Sequence, residues 1–370
     1  MGFPHAQRLE RWLGASEIER ISSAMVPWYG PPIAVARVPG RVQAVRGGDF
    51  VGRIHSGRFS SLVDLAYERT LATWKRAQRR GAGRLSAGFT SLSDLIAEAT
   101  AGKRREFQFQ KVGTTGVVNV TNSLWGVGNM PAAGANAAAA PGGTVPDDST
   151  TGAFPFTNPT GGDTQHFVSG FPLASVAGNT LLLYDRLFAV NKTMASTATE
   201  SVTGVPTRYQ STTGGAADSA EGNFLFVEVG GTALAATAHN WTVCLYTDQS
   251  GNGSATLPSL TGNSGAIVRR LDHPVGQWFA PLATGDTGIQ QLDQMQCSAS
   301  VATGVINFVI GHPIAWMPCP IANLVCVADG INSAFNLARI FDDAALAFLE
   351  VCKPATTATT YNGSWTTVSG

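Results

Sequence analysis

Short apolar runs separated by turn residues fill the second half of the chain. Seven segments are rich in β-branched and aromatic residues and are bounded by Gly, Pro, Asn or Ser, which is the pattern of β-strands. They are His166–Ala177, Thr180–Val190, Asn223–Val229, Trp241–Thr247, Ile289–Ala299, Val305–Ile310 and Ala358–Val368. Seven or more short strands over roughly two hundred residues are typical of antiparallel sandwiches and jelly rolls. The sequence therefore predicts a mainly β body, a β-sandwich or jelly roll, over residues 166–370.

Turn residues predict two hairpins inside this body. Tyr361–Ser364 contains Asn-Gly, which tolerates the positive φ angles of a type I′ turn. Gln249–Gly253 lies between Trp241–Thr247 and Ala255–Leu257 and is also rich in turn residues. Leu337–Val351 is ambiguous, because its apolar residues fit a helix while the strands on both sides favour β. We expect a strand there.

The first 111 residues follow a different pattern and form the predicted N-terminal domain, a basic extended arm with short helices. Gln7–Met25 places apolar residues among charges at helical spacing, which predicts one or two short amphipathic helices. From Ile33 to Ile54 small apolar residues alternate with Arg and Gly. This second stretch is typical of an arm in extended conformation.

A ten-residue pattern, F-[ST]-S-L-x-D-L-x-x-E, occurs twice in this domain, at Phe59–Glu68 and Phe89–Glu98. In each copy a Ser can cap a helix, an acidic residue three positions later can complete a capping box, and a Phe precedes the cap. Helices are therefore expected near residues 61–80 and 91–101. A true duplication and convergence on good helix-start chemistry explain the pattern equally well.

Residues 112–165 are predicted as a linker or long loop between the two domains. Within them the stretch 128–165 is of low complexity, rich in Gly, Ala, Pro and Thr. Such a composition does not hold a core by itself. In an assembly, a segment of this kind typically lies over a neighbouring subunit.

The formal net charge of zero is the sum of two opposite parts. Residues 1–111 contain 18 Lys and Arg against 9 Asp and Glu, whereas residues 112–370 contain 7 against 16. Only 14% of all residues are charged, below the roughly 25% usual for soluble proteins. A surface so poor in charge tends to associate, and opposite parts of two subunits attract one another. The composition therefore favours an assembling subunit over a freely diffusing catalyst.

Two groups of cations in the N-terminal domain are the candidate partner-binding residues. The first follows the two predicted helix starts and consists of Lys75, Arg76, Arg79, Arg80, Arg84, Lys103, Arg104 and Arg105. The second lies in the predicted arm and consists of Arg37, Arg41, Arg46, Arg53 and Arg58. Helix C-termini attract a few such charges, but the size of the first group indicates a partner. We favour the acidic face of another subunit over nucleic acid, because no nucleic-acid-binding signature accompanies the cations.

The chain contains no motif of the G-x-S-x-G, H-E-x-x-H, Walker or dinucleotide-binding type. Asp272-His273 and Asp342-Asp343 are the adjacent pairs that could serve in acid–base chemistry, but neighbours in a strand point to opposite faces. His312 is interpreted as a hydrogen-bonded core or turn residue. We therefore expect no enzymatic activity and no cofactor.

Metal binding and disulfide bonds are not favoured either. The odd number and irregular spacing of the cysteines argue against a complete disulfide framework or a zinc cluster, so they are interpreted as small buried hydrophobes. They are Cys244, Cys297, Cys319, Cys326 and Cys352. Asp248–Asn252 is similar to a calcium loop but lacks the terminal bidentate Glu, so a hairpin turn is the favoured interpretation.

No secretory signal or membrane span is expected. The N-terminus, MGFPHAQRLERW, has no apolar core. The most apolar stretch, Val305–Val327, is interrupted by a histidine and three prolines and is a poor membrane span.

Three phrases in the last third of the chain resemble virion structural proteins of tailed bacteriophages. They are TVCLYTDQSGNGSATLP, PLATGDTGIQQLDQMQCSASVATGVINFVIGHPIAWMP, and LARIFDDAALAFLEV with the closing YNGSWTTV, all within about residues 240–370. Such proteins are typically jelly-roll or sandwich subunits that coat or cement a capsid, often as trimers. The resemblance implies a capsid decoration subunit, assembled in the host cytoplasm and located in the virion. Its implied partners are capsid shell subunits and further copies of itself, with a trimer favoured.

Three other functions stay open. A major shell protein of tailed phages has a long spine helix, and no stretch of this chain is long and periodic enough to supply one. A tail or receptor-binding component would also use a β body and trimerise. A carbohydrate-binding or carbohydrate-active sandwich is the alternative from a different class, since carboxylates that meet only in space are invisible in a sequence.

Overall fold

A computed structural model describes residues 89, 91–113, 117–210, 220–331, 337–353 and 358–370, the side chains at 352 and 353 excepted, together with the backbone of four short strands before residue 56. The chain divides into two compact units, Met1–Gly83 and Arg84–Gly370. The sequence had placed the end of the N-terminal domain at residue 111. The second unit, which we call the body, begins at Arg84.

The described part of the first unit consists of short antiparallel strands: β1 (Ala34–Val38), β2 (Arg41–Arg46), β3 (Phe50–Val51) and β4 (Ile54–His55). β2 pairs with the other three, and its hairpin with β1 runs in register from Ala34 opposite Val45 to Val38 opposite Arg41. The segment predicted as an extended arm thus contains paired strands. The helices predicted at 7–25 and 61–80 lie outside the described residues.

The second predicted helix start is confirmed. α1 (Leu92–Glu98) is followed by one π-helical turn, Ala99–Lys103. Ser91 is the N-cap, and its hydroxyl accepts a hydrogen bond of 3.1 Å from the backbone N–H of Asp94. Phe89, just before the cap, is 3% exposed and packs with the buried face of the helix. The capping chemistry in the sequence therefore fixes where this helix begins.

The body contains sixteen strands within its described residues, arranged in three antiparallel sheets. They are β5 (Arg104–Val112), β6 (Val120–Ser123), β7 (Asn129–Met130), β8 (Gln165–Ala174), β9 (Asn179–Thr193), β10 (Glu200–Ser201), β11 (Phe224–Val229), β12 (Asn240–Asp248), β13 (Ala255–Thr256), β14 (Leu260–Thr261), β15 (Ile289–Cys297), β16 (Val305–Cys319), β17 (Ala328–Asp329), β18 (Arg339–Ile340), β19 (Leu346–Lys353) and β20 (Thr360–Ser369). All seven predicted strands are present, as β8, β9, β11, β12, β15, β16 and β20. The ambiguous segment forms β18 and most of β19. The mainly β, antiparallel class is confirmed.

The central sheet, in the order β11-β16-β9-β19-β6, closes on itself through a short closing segment, residues 269–272. On one side, the N–H groups of Arg269 and Asp272 donate to carbonyls of β11, each at 2.8 Å. On the other side, the N–H of Leu271 donates to a carbonyl of β6, and the N–H of Ser123 in β6 donates back to Arg269. Both edge strands of this sheet are therefore hydrogen-bonded, and the sheet has an inner and an outer face.

The inner face of the closed sheet has a core of its own. Tyr184 of β9, Phe226 of β11, Leu349 of β19 and Leu271 of the closing segment are buried there. The rings of Tyr184 and Phe226 meet edge to face, with centroids 5.6 Å apart, a geometry that aromatic pairs prefer. Leu183, next to Tyr184, belongs to the outer cluster instead, because side chains alternate along a strand.

The outer face is covered by the two other sheets, one in the order β17-β8-β20-β5-β7 with β18 on β8, the other in the order β10-β15-β12-β13 with β14 on β12. Phe348 of β19 meets Phe109 of β5 and the loop residue Phe154, with ring centroids 4.8 and 5.2 Å away. Phe308 of β16 meets Trp241 of β12 at 4.7 Å. One hydrophobic cluster thus joins all three sheets, which is the face-to-face packing of a β-sandwich.

Residues 112–165, predicted as a linker or long loop, are part of the body. β6 belongs to the closed sheet and β7 pairs with β5. Phe154 is 2% exposed in the main core, and Thr144 exchanges two backbone hydrogen bonds with Ala189 of β9, at 2.7 and 2.9 Å. A low-complexity composition allows this because a few apolar side chains anchor the segment, while its backbone groups bond to existing strands.

The hairpin predicted at Tyr361–Ser364 is wrong. These residues run through the middle of β20, which pairs with β5 on one side and β8 on the other. A Cβ atom at Gly363 would collide with the carbonyl oxygen of Phe171 and lie 2.9 Å from the Phe109 ring. Glycine is needed here because the backbone of β8 and the ring of Phe109 lie close to it, and not because the chain turns. The turn predicted at Gln249–Gly253 is confirmed, since β12 pairs with β13 across it.

Two adjacent residues of β9 carry opposite charges and are buried on opposite faces of the closed sheet. Arg208 donates to both carboxylate oxygens of Asp185, at 2.8 Å each. Arg186 points inward and donates to Glu228 at 2.7 Å. The four side chains are at most 8% exposed. Each charge is buried together with its partner, as buried charges have to be.

Asp185→Asn is expected to lower the free energy of unfolding by about 3–5 kcal/mol, because it leaves the Arg208 guanidinium buried without its charged partner. Chemical denaturation of the full-length protein measures this. Asp342→Asn, the same change at an exposed carboxylate, is the control and is expected to stay within about 0.5 kcal/mol of the wild type. Equal unfolding midpoints for the two variants would show that the buried pair does not stabilise the fold.

Candidate functional site

Three of the predicted partner-binding residues lie in the described body. Lys103 ends the π-helical turn and forms ion pairs with Asp163 at 2.7 Å and Glu98 at 2.8 Å. Hydrogen bonds to Asp163, and then to Glu98, raise the pKa of Lys103. Arg104 and Arg105 lie exposed at the start of β5. Lys103 is therefore engaged within the body, while its two neighbours face solvent.

The side chains of the other predicted basic residues are not described. Arg37 lies in β1, and Arg41 and Arg46 lie at the two ends of β2. The rest lie outside the described residues: Lys75, Arg76, Arg79, Arg80, Arg84, Arg53 and Arg58. Their binding of a partner stays a prediction.

An apolar loop, residues 321–327, lies exposed at the edge of the sheet that contains β8. Hydrogen bonds from the N–H groups of Asn323 and Cys326 to the carbonyls of Ala174 and Pro172 hold it against β8. Its large apolar side chains are 51–64% exposed: Ile321, Leu324, Val325 and Val327. Single exposed apolar residues are normal, but a group of neighbours marks an interaction surface. We call this segment the apolar edge loop.

A cavity of about 180 Å³ opens at one end of the closed sheet, and we call it the mouth cavity. Its floor is formed by Glu228 of β11 and Asn307 of β16, which are 3% and 1% exposed. Trp125 and residues 134–136 form one wall, and residues 268–269 form the other. The cavity thus brings together residues from four distant parts of the sequence.

The carboxylate on the floor of the mouth cavity is only partly satisfied by the protein. Oε1 of Glu228 accepts hydrogen bonds from Arg186 at 2.7 Å and Asn307 at 3.1 Å, whereas Oε2 has no partner among the described residues. Arg186 also lies 4.7 Å from the centre of the Trp125 ring. Burial lowers the pKa of Arg186, but the charge of Glu228 opposes this and the net direction is upward. Arg186 is thus a fixed cation beneath the cavity.

Arg269, at the rim, has an unusual backbone. Its φ angle is 77°, in the left-handed region that residues other than glycine seldom adopt. Its N–H and carbonyl are held by β11 and β6 respectively, which fixes this conformation. The described residues include no ion-pair partner for its guanidinium. The closing segment thus presents a cation at the cavity entrance.

Lys111 lies buried beneath the loop that carries Trp125. It is 2% exposed, and its ammonium group donates to the carbonyls of Val127 and Pro131, both at 2.7 Å. Burial, and then the nearby charge of Arg269, lower its pKa from 10.5 to about 8. Near neutral pH the surroundings of the mouth cavity therefore carry more positive than negative charge.

The two residues of the first predicted acid–base pair, Asp272 and His273, have different hydrogen-bond partners. Asp272 is fully buried, where its Oδ2 atom is hydrogen-bonded to Nε2 of His239 and Nε1 of Trp241, each at 2.9 Å. His273 accepts a hydrogen bond from the N–H of Val227, and burial lowers its pKa to about 4. The two neighbours point apart, as strand geometry predicts.

The second predicted pair stabilises a turn. Asp343 exchanges two hydrogen bonds with the side chain of Asn158, at 2.6 and 3.0 Å. Desolvation, followed by the charge of Asp343, raises the pKa of Asp342. Both aspartates are exposed on the turn before β19.

Several smaller predictions are confirmed. Asp248 accepts hydrogen bonds from the N–H groups of Ser250 and Asn252 and so holds a hairpin turn. His312 is hydrogen-bonded and stacks on the ring of Tyr209, with centroids 3.8 Å apart. Three of the five cysteines are buried thiols, Cys244, Cys297 and Cys319, whereas Cys326 is only half-buried, so the prediction is wrong there.

Sequence reasoning missed the mouth cavity. Glu228 and Asn307 stand in strands that were predicted, but the sequence does not show that β11 and β16 pair with these two residues opposite each other. One signal was present. A single carboxylate in the otherwise apolar run FLFVEV requires a buried partner.

Comparison with known proteins gave no match to a family model, a curated protein or a solved structure. In the parts of the chain that the structure describes, no helix has the length and apolarity to span a membrane. The function has to be argued from the molecule itself.

Lys111 is expected to make stability depend on pH. Its pKa is about 8 in the folded chain and the ordinary 10.5 when unfolded. Between these values the unfolded chain binds more protons, so stability rises with pH. Relative to Lys111→Met, the free energy of unfolding of the wild type should rise by about 3 kcal/mol between about pH 7 and pH 11. Urea denaturation across this range measures the difference, and a difference that does not change with pH would contradict the lowered pKa.

Proposed function

We propose that the chain is a non-enzymatic structural subunit of a virus particle, a decoration or cement protein on the head of a tailed bacteriophage. The apolar edge loop carries this proposal, because its four large apolar side chains are more than half exposed. An isolated soluble protein gains nothing from such a surface, whereas a subunit of a shell covers it against a neighbour.

The distribution of charge supports assembly. Residues 112–370 contain 7 Lys and Arg against 16 Asp and Glu. Three of those cations, Arg186, Lys192 and Arg208, are buried in ion pairs. The surface of residues 112–370 is therefore short of cations, and the basic residues among the first 111 positions of another copy would attract it.

The proposed partners are capsid shell subunits and further copies of this chain, with a trimer favoured. Nucleic acid is less favoured, because Lys103 is already paired with Glu98 and Asp163. A tail or receptor-binding part of the same particle is the second candidate, since a β-sandwich body would serve there as well. The resemblance of residues 240–370 to phage structural proteins supports both.

Density-gradient fractionation of the source lysate tests the proposal, with the chain followed by peptide mass spectrometry. We expect it to migrate with DNA-filled particles, in copy number comparable to the main shell protein. A much lower copy number on particles would favour the tail or receptor-binding part. Recovery of the chain only as free protein, away from particles, would overturn the structural role.

Val327→Asp is expected to shift the purified protein from oligomer to monomer, because a carboxylate would be desolvated inside the contact that covers the apolar edge loop. Light scattering coupled to size-exclusion chromatography measures the mass. Val275→Asp is a matched control, since both valines are 64% exposed and Val275 lies in a different loop. If both variants, or neither, change the mass, the apolar edge loop is not the contact between copies.

A further inference from the structure

The mouth cavity has room for a small ligand. Its volume of about 180 Å³ is many times the roughly 10–15 Å³ that a single water molecule needs. Its lining includes Gly126, Gly134, Gly230 and Gly231, so much of its wall is backbone. The polar groups around this space therefore decide what kind of molecule it accepts.

The charges around the cavity add up to a positive surplus. Of the residues that line it, Glu228 carries the negative charge and Arg269 the positive one. Glu228 is 3% exposed and is neutralised from beneath by Arg186 at 2.7 Å. The guanidinium of Arg269, in contrast, has no ion-pair partner among the described residues. Burial, and then the charge of Arg269, lower the pKa of Lys111, so a second cation lies near the first.

A series of hydrogen bonds fixes the direction of a second donor, the side-chain amide of Asn136. Oδ1 of Asn307 accepts from the N–H of Ala137 at 3.1 Å, so the Nδ2 atom of Asn307 points the other way. This Nδ2 atom donates to Oδ1 of Asn136 at 3.4 Å. Nδ2 of Asn136 is therefore left as a donor, and it has no acceptor among the described residues. It lies against the cavity wall, because a Cβ atom at Gly231 would be 2.9 Å from it.

The backbone of Arg269 indicates that its side chain matters. Its φ angle of 77° is one that glycine or asparagine adopts more easily than arginine. Residues held in such conformations are concentrated at binding and catalytic sites. The strain at the rim therefore favours a role for the guanidinium itself.

We propose that the mouth cavity binds a small oxyanion, the carboxylate or phosphate group of a small molecule. One oxygen of the anion accepts from the guanidinium of Arg269, and another accepts from Nδ2 of Asn136 on the facing wall. A cation would be repelled by Arg269, and a neutral molecule would leave its charge without a counter-ion. The residues that line the cavity are separate from the apolar edge loop, so binding there does not depend on the proposed structural role.

Asn136→Asp tests the two donors with the smallest change in shape. One carboxylate oxygen still accepts from Asn307, while the other replaces the amide donor with a negative charge near Arg269. The residue is exposed, so the fold is expected to tolerate the change. Arg269→Asn removes the cation, and asparagine tolerates the left-handed backbone. Each variant is expected to weaken oxyanion binding at least about tenfold, because each removes a charge-assisted hydrogen bond or repels the anion.

Gly126 allows the cavity to be filled. A Cβ atom there would lie 3.9 Å from both Nε of Arg269 and the carbonyl oxygen of Gly134, two lining residues. Gly126→Leu therefore places its side chain beside the proposed anion and is expected to weaken binding. Gly128→Leu is the matched control, because a Cβ at Gly128 meets nothing within 4 Å and the residue does not line the cavity.

Saturation-transfer-difference NMR on the full-length protein, at fixed ionic strength, tests the site. Acetate and methyl phosphate are the anionic probes, and they separate a carboxylate site from a phosphate site. Acetamide, the neutral isostere of acetate, and methylammonium are the neutral and cationic probes. We expect saturable transfer to acetate or methyl phosphate, with binding of acetamide and methylammonium weaker by at least about tenfold.

Thermal unfolding of each variant shows whether the fold is intact. Absence of transfer to both anions would overturn the proposal, as would binding of acetamide or methylammonium as tight as that of the better anion. Undiminished anion binding by a folded Arg269→Asn would place the anion elsewhere and also overturn it. Should Arg269→Asn fail to fold, Asn136→Asp decides by the same criterion.

Discussion

The long pairing of β9 with β16 holds the three sheets together, and buried charges fix its register. The pairing runs from Thr193 opposite Val305 to Asn179 opposite Cys319. A slip of one residue would exchange the faces to which Asp185 and its neighbour point. A slip in one direction would place Arg186 against Arg208, and a slip in the other direction would place Asp185 against Glu228. Because either contact is repulsive and buried, the adjacent pair of opposite charges excludes both slipped pairings more firmly than apolar side chains would.

Closure of the central sheet makes its two ends different. At one end aromatic rings fill the space, with Trp278 against Trp316 at 5.6 Å and Phe224 against Phe279 at 4.1 Å. At the other end the inward residues are charged or polar, and they cannot pack into one another as rings do. Glu228 and Asn307 line the mouth cavity there. We attribute the cavity to the ion pair of Arg186 and Glu228, which occupies this end of the closed sheet in place of aromatic rings.

The strands could be predicted from the sequence because alternation and turn residues are local. The order of the strands could not, because pairing depends on contacts between distant segments. Local reasoning failed at Gly363. The Asn-Gly pair predicted a turn, but the glycine lies in the middle of β20, where a larger residue would not fit. It also undervalued Phe154, one aromatic residue that brings a low-complexity segment into the core. For the site, cations were predicted from composition, but Lys103 finds its partner Asp163 only in space.

In the proposed assembly, the long-range attraction that brings copies together and the contact that holds them together have different physical sources. Arg186, Lys192 and Arg208 are buried in ion pairs, so we assign the long-range attraction between copies to the cations of the first 111 residues, among which Arg104 and Arg105 are exposed on the described body. Salt screens that attraction, which decays over a Debye length of about 8 Å at physiological ionic strength. The apolar edge loop has no charge to screen, and burial of its side chains is insensitive to moderate salt. Salt should therefore slow the encounter between copies more than it weakens the contact once formed.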